Sequence, residues 1–154
     1  GFEAKGDDGK ISSVPNAMVL YNPPCVMAPM PERKDFLNPE NIAGLSARMG
    51  VPLEQLSPWH HVRKGLPPTL VLHGEADTTV KIWTAESFVR KMKKAGNRAE
   101  LAAYPGEPHG FFNYGRRGNK MFIATMRRTD EFLASLGWLK GKPSIEKFAE
   151  RKKQ

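Results

Sequence analysis

The chain has 154 residues, enough for one domain with a hydrophobic core, and its hydrophobic (40%) and charged (26%) fractions are ordinary for a globular protein. The net charge of +8 suggests nucleic-acid binding, but the basic residues come without zinc-finger spacing or a phosphate-cradling glycine loop, so we expect no nucleic-acid partner. The single cysteine excludes an internal disulfide, and no apolar run approaches the roughly 20 residues of a membrane span.

The predicted elements alternate between strands and helices. Short apolar runs predict the strands, and apolar residues at spacings of three and four predict the helices. In chain order they are a strand at 16–22, a helix at 39–49, a short helical turn within 51–58, a strand around 70–72, a helix at 80–96, a strand at 99–105 and a helix at 122–136. This alternation predicts an α/β fold with a parallel sheet.

Three segments lie outside this alternation, and all of residues 1–154 belong to a single domain. The polar, glycine-rich residues 1–13 predict a surface loop. Residues 24–58 are proline-rich with weak periodicity and predict a lid-like insertion, in which Asn38 is the N-cap of the first helix. Residues 140–154 predict a charged tail, either loose or docked as a helix.

Two polar turns follow the second and third predicted strands and hold the candidate catalytic residues. Asp77 lies in the first turn and His109 in the second. In an open parallel sheet, functional groups gather at the carboxyl ends of the strands, so we expect these two side chains to meet. A carboxylate that accepts a hydrogen bond from one imidazole nitrogen leaves the other nitrogen free to take a proton from a nucleophile. Gly74 and Gly110 beside them allow the loops to approach closely.

The stretches "PPTLVLHGEADTTV" at 67–80 and "YPGEPHGFFN" at 104–113 together resemble the closing half of an α/β-hydrolase-fold esterase. The chain is most similar to the acetyl-esterase, hormone-sensitive-lipase-like and dienelactone-hydrolase-like branches, over roughly residues 10–138. The resemblance implies the last three parallel strands of that fold, with flanking helices. It also implies a serine carboxylesterase in which Asp77 is the acid and His109 the base of a Ser-Asp-His triad. His60, Phe111 and Phe112 are candidates for the substrate pocket.

The nucleophile of such a triad is missing from this sequence. No Gly-x-Ser-x-Gly elbow is present, and the nearest string, "GLSARMG" at 44–50, places Ser46 inside a predicted helix. The resemblance therefore implies that the nucleophile and the oxyanion hole lie in an N-terminal part that precedes Gly1. The expected partners are a small-molecule ester and either that missing half or a second copy paired along the open edge of the sheet. No cofactor or metal is expected.

Two other functions remain open at this point. A serine peptidase of the prolyl-oligopeptidase type ends in a similar Asp and His, although the lid-like stretch at 24–58 favours an esterase. A non-catalytic, hydrolase-like interaction module would also lack a nucleophile. For the single residues, Asp77 could be only a turn or helix-capping residue. His73, Glu75 and Asp77 lack further ligands at metal-binding spacing.

Overall fold

The computed structural model describes residues 6, 8, 10–145, 147 and 148 of the chain. Three parallel strands form one sheet, and helices flank it. The elements in chain order are β1 (Met18–Tyr21), α1 (Pro39–Met49), α2 (Leu53–Leu56), a 3₁₀ turn (Pro58–His61), β2 (Thr69–Gly74), α3 (Ile82–Lys94), β3 (Ala99–Tyr104), a second 3₁₀ turn (Arg117–Asn119) and α4 (Lys120–Ser135). The predicted α/β fold with its three parallel strands is confirmed.

The sheet order β1-β2-β3 follows the chain order, with β2 in the middle. In the register, Thr69 of β2 lies opposite Met18 of β1 on one side and opposite Ala99 of β3 on the other. Every residue of β2 is buried, as its continuous apolar run predicts for a strand covered on both faces. All three strands therefore end at the same edge of the sheet, where the candidate site lies.

One face of the sheet packs against α3. Val71 points into a cluster that includes Phe88 and Met92 of α3, together with Trp59 from the first 3₁₀ turn and Cys25 from the segment after β1. Burial raises the pKa of the Cys25 thiol to about 12, so this cysteine is a small core residue and not a nucleophile.

The opposite face packs against α4. Leu70 and Leu72, the neighbours of Val71 on β2, form a second cluster with Phe132 of α4. Successive side chains of a strand point to opposite faces, which is why the two clusters divide β2 between them. The sheet is therefore held between α3 and α4, with its loops free to build a site at the edge.

The insertion at 24–58 contains the two predicted helical segments. The Asn38 side chain accepts a hydrogen bond from the backbone N–H of Asn41 at 2.7 Å and caps α1, and Gly50 ends the helix in the left-handed conformation. No residue of α1 is buried, which sets this helix apart from α3 and α4. The role of the insertion as a lid remains a prediction.

Both ends of the chain lie partly outside the described residues. Within the predicted surface loop at 1–13, the described residues are exposed. Within the predicted tail at 140–154, the ring of Phe148 lies 6.1 Å from the ring of Tyr114 and 6.4 Å from that of Phe122. No helix in the described part of the chain is long and apolar enough to cross a membrane.

Candidate active site

Asp77 and His109 meet at the carboxyl edge of the sheet. The Nδ1 atom of His109 lies 2.8 Å from Oδ2 of Asp77, within hydrogen-bond reach as the sequence predicts. The Asp77 side chain is fully buried, whereas 44% of the His109 side chain is exposed. A buried carboxylate thus holds an imidazole whose other side faces outward.

The loops that carry the two residues touch through their backbones. Glu75 donates its N–H to the carbonyl oxygen of Tyr104 at 3.0 Å, and Ala76 donates to the carbonyl oxygen of Glu107 at 3.1 Å. A Cβ atom on Gly74 would lie 2.8 Å from the carbonyl carbon of Glu107 and 3.1 Å from the oxygen of Pro108. Only glycine permits this approach, and the approach brings His109 to Asp77.

The Asp77 carboxylate is hydrogen-bonded at both oxygens. Oδ1 accepts the backbone N–H groups of Thr79 and Val80, both at 2.9 Å, and Oδ2 accepts the side-chain amide of Asn22 at 2.8 Å as well as His109. Burial raises the pKa of Asp77, but the hydrogen bonds from Val80, His109 and Thr79 outweigh it, so this pKa lies below its usual value. The site therefore holds Asp77 ionised at neutral pH.

This ionised partner fixes the tautomer of His109. Asp77 can only accept, so Nδ1 of His109 carries the proton and donates it, and Nε2 is left with a free lone pair. No hydrogen bond to Nε2 occurs within the described part of the chain. The backbone oxygen of His109 accepts a hydrogen bond from Arg116 at 3.3 Å. The arrangement can accept a proton at Nε2 and stabilise the imidazolium that results.

His73 lies behind Asp77 and has a structural place. It is fully buried, its Nε2 donates to the backbone oxygen of Val80 at 2.8 Å, and the same nitrogen is 3.4 Å from Oδ2 of Asp77. Glu75, which precedes Asp77 in the same turn, is exposed. Among the described residues no three His, Cys, Asp or Glu side chains form a metal-binding group.

No serine in the described residues is hydrogen-bonded to His109. Ser46 lies on α1, as the sequence predicts. Ser57 does pair with a histidine, because its hydroxyl lies 2.9 Å from Nδ1 of His60, whose Nε2 donates to the oxygen of Pro29 at 3.0 Å. Ser57 is fully buried and also accepts the N–H of Met27 at 3.0 Å, so this pair braces the insertion and cannot reach a substrate.

The three predicted pocket residues lie in different surroundings. His60 uses both ring nitrogens to hold the segment around Pro29, and neither bonds to Asp77 or His109. Phe111 is buried, and its ring lies 4.9 Å from that of Tyr104. Phe112 is half-buried, and its ring lies 4.8 Å from that of Tyr21. Their contact with a substrate remains a prediction.

Asn22 also lies at the site, although no motif in the sequence singles it out. The residue directly follows β1 and is therefore at the same edge as Asp77 and His109. Its Nδ2 lies 2.8 Å from Oδ2 of Asp77 and 3.4 Å from Nδ1 of His109. The rule that located Asp77 and His109, namely the carboxyl end of a parallel strand, applies equally to Asn22.

A sequence model of the prolyl oligopeptidase family matches residues 37–136, which are 100 of the 154 residues and include both Asp77 and His109. The chain belongs to the prolyl oligopeptidase family. Its members share the α/β-hydrolase fold, of which the three parallel strands and flanking helices described above form a part. A search of curated protein sequences gave no match.

Solved structures of a thermophilic esterase from the planctomycete Thermogutta terrifontis resemble this member of the prolyl oligopeptidase family. The propionate-bound form superposes with a TM-score of 0.81 at 42% identity, covering 92% of this chain and 50% of the esterase. The butyrate-bound form gives 0.83 at 42% identity, covering 92% and 51%. The form phosphonylated by sarin gives 0.82 at 42% identity, covering 91% and 51%.

The comparisons confirm the expected resemblance to an α/β-hydrolase esterase. The matching family is named after the peptidase type that is the alternative to an esterase, while the similar structures are esterases. The chain spans about half the length of that esterase, in agreement with the expected closing half of the fold.

Proposed function

We propose that this chain supplies the acid and the base of a serine carboxylesterase whose nucleophile lies outside these 154 residues. The observation that carries the proposal is the 2.8 Å hydrogen bond from Nδ1 of His109 to the buried, ionised Asp77. A histidine held in this way, with an outward-facing Nε2, is the general base that a serine nucleophile requires.

The chemical step follows from the tautomer. Nε2 of His109 takes the proton from the serine hydroxyl as its oxygen attacks the ester carbonyl, and it returns that proton to the departing alcohol. An acyl-enzyme remains. The same nitrogen then deprotonates the water that attacks the acyl group and gives that proton to the serine oxygen as the acid is released. Asp77 stays ionised throughout and stabilises the imidazolium. No cofactor enters this sequence of steps.

Short-chain carboxylic esters are the substrate class that we propose. The similar esterase has been solved with propionate and with butyrate bound, and these are the acids that short acyl esters release. It is also phosphonylated by sarin, a reaction typical of an activated serine. At 42% identity over 92% of this chain, the likeness supports a similar reaction for a protein that contains this half.

Peptide hydrolysis is the second candidate, and the family match favours it. The prolyl oligopeptidase family model covers both Asp77 and His109, and the same acid and base would serve an amide bond. Within the described residues, the insertion between β1 and β2 is built from short helices and turns. The two candidates therefore differ in the substrate and share the catalytic residues.

The partner that completes the site would pair with β1. In the described sheet β1 pairs only with β2, so its outer edge presents unpaired backbone groups, and its side chains are half-buried. We propose that the missing half covers this edge and brings the serine to His109. A second copy of the chain at the same edge is the alternative. A non-catalytic interaction module would also use that edge.

The test is to express the chain with and without an upstream segment that carries Gly-x-Ser-x-Gly. Joined to that segment, the protein should hydrolyse p-nitrophenyl butyrate, and a prolyl peptide anilide should be cleaved far more slowly. Faster cleavage of the anilide would favour the peptidase. Hydrolysis of neither substrate, with the serine unreactive to a fluorophosphonate, would leave only the interaction module.

A further inference from the structure

Asn22 holds an unusual backbone conformation at the end of β1. Its φ angle is +44°, in the region that glycine and asparagine tolerate and most residues avoid. Its backbone N–H still donates to the oxygen of Leu72 at 2.9 Å, which continues the ladder between β1 and β2. The residue is 3% exposed. A buried residue in a costly conformation persists only where the surrounding structure requires it.

This conformation directs the side-chain amide of Asn22 toward the carboxylate of Asp77. Nδ2 donates to Oδ2 of Asp77 at 2.8 Å, and Oδ2 accepts the His109 proton at the same distance. A carboxylate oxygen has two lone pairs in its plane. The amide and the imidazole both donate to Oδ2, and their two nitrogens lie 3.4 Å apart.

The orientation of the amide follows from its neighbours. The Oδ1 atom of Asn22 is buried and finds no hydrogen-bond donor among the described residues. Exchanging the two amide atoms would place Oδ1 against the ionised oxygen of Asp77, an acceptor facing an acceptor. The contact therefore needs a donor at this position. An aspartate here would set two carboxylates side by side.

We propose that Asn22 is a positioning residue for the catalytic base, acting through Asp77. Its amide donates to Oδ2 beside Nδ1 of His109, from which it lies 3.4 Å, while the N–H groups of Thr79 and Val80 fix Oδ1. The carboxylate cannot rotate, so the imidazole is held with Nε2 outward. The inference rests on the proposed function of His109 as the base.

Removing the amide should also change the electrostatics of the pair. A carboxylate relieved of one N–H donor attracts the proton on His109 more strongly. The acid limb of the pH–rate profile, which reports the Asp77–His109 pair as a whole, should therefore move to higher pH. His73 and His109 are the titratable groups that face Asp77, at 3.4 and 2.8 Å, and both remain in place.

The variant Asn22→Gly tests the contribution of the side-chain amide alone. Glycine accepts a φ of +44°, so the backbone keeps its path and only the amide is lost. Asn119→Gly is the matched control, because Asn119 has a φ of +64° and lies in the turn before α4. Its side chain accepts the N–H of Gly115, and within the described part of the chain it makes no hydrogen bond to Asp77 or His109.

The experiment uses the protein joined to the segment that supplies the nucleophile. Asn22→Gly should lower kcat for a short acyl ester roughly 10- to 100-fold, as expected for a lost hydrogen bond to a charged group, with KM unchanged and the acid limb at higher pH. Asn119→Gly should match the unaltered protein in kcat, in KM and in the position of the acid limb. An Asn22→Gly profile equal to that of the control would overturn the proposal.

A second measurement needs no variant and no turnover. In ¹⁵N-asparagine-labelled protein, the Asn22 side-chain amide signals should shift as Asp77 is protonated, with a midpoint below the usual aspartate range because the pKa of Asp77 is lowered. Amide chemical shifts that stay constant while Asp77 is protonated would refute the hydrogen bond. If the amide responds while His109→Ala keeps full activity, the proposed function fails and the contact stands.

Discussion

Gly74 and Glu107 lie so close together that the backbone of one occupies the place where a side chain of the other would begin. A Cβ atom on Gly74 would come within 2.8 Å of the carbonyl carbon of Glu107. Gly74 is the last residue of β2, and Glu107 lies in the loop that carries His109. This contact therefore sets the distance between the loop of Asp77 and the loop of His109.

Replacing Gly74 with alanine should separate the two loops. The obstructing atoms are backbone atoms, which cannot swing aside as a flexible side chain can, so the Asp77–His109 hydrogen bond should lengthen or break. We expect a loss of about 1–3 kcal/mol in the free energy of unfolding, measured by urea titration. Gly44→Ala on α1 is the control, because its Cβ would meet nothing within 4 Å and helix propensity favours alanine. Equal stability of the two variants would contradict the role of Gly74.

Loss of either proposed triad member should abolish turnover in the protein that carries the nucleophile. We expect His109→Ala to lower kcat for p-nitrophenyl butyrate by up to about 10⁶-fold, since triad members act as a unit. Asp77→Asn should lower kcat roughly 10⁴-fold, because the asparagine that replaces Asp77 does not fix the tautomer of His109 as the carboxylate does. Steady-state kinetics with purified variants measures both. Near-normal turnover in either variant would remove the triad assignment.

The 154-residue chain by itself should not react with a fluorophosphonate probe. Ser46 lies on α1, and Ser57 is fully buried against His60 and Met27. In-gel fluorescence after labelling measures the reaction, with the joined protein as the positive control. If the chain alone is labelled, Ser57→Ala and Ser46→Ala identify which serine reacts, and the nucleophile would then lie within this chain.

Glu100 should make the fold sensitive to acid. Burial raises the pKa of Glu100, but hydrogen bonds from Arg98 and Arg128 outweigh it, so the folded value lies below the usual 4.5. A depressed folded pKa means that the stabilisation is present above the unfolded pKa and is lost as the pH falls through the folded one. We expect Glu100→Gln to be less stable at pH 7, with a difference that shrinks below about pH 4. Thermal melts between pH 3 and 7 measure this, with exposed Glu86→Gln as the control. A stability difference between Glu100→Gln and the unaltered protein that stays constant from pH 3 to 7 would contradict this prediction.

The open edge of β1 should govern the association of the chain. Its outer backbone groups have no partner strand in the described sheet, and such an edge favours pairing with another chain. We expect light scattering to report dimers or aggregates for the purified chain and a defined species once the upstream segment is present. A monomer that melts cooperatively without a partner would show that the edge is covered from within. It would also favour a self-sufficient, non-catalytic domain.

The sequence alone determined the elements and two of the site residues. The continuous apolar run in β2 and the spacing of Phe88 and Met92 in α3 specify local structure, because burial acts on the period of each element. Asp77 and His109 were located by a rule about strand ends, which needs only the order of the elements. The family resemblance then supplied their expected roles.

Only the tertiary structure decided what surrounds Asp77. Asn22 reaches the carboxylate from 55 positions away along the chain, through a left-handed backbone conformation that no periodicity in the sequence reveals. The tight approach of Gly74 to Glu107 and the burial of Ser57 beside His60 are likewise properties of packing. Local patterns report which side of an element is apolar. They carry no information about which polar atoms meet when distant segments pack together, and those meetings set the hydrogen bonds of the site.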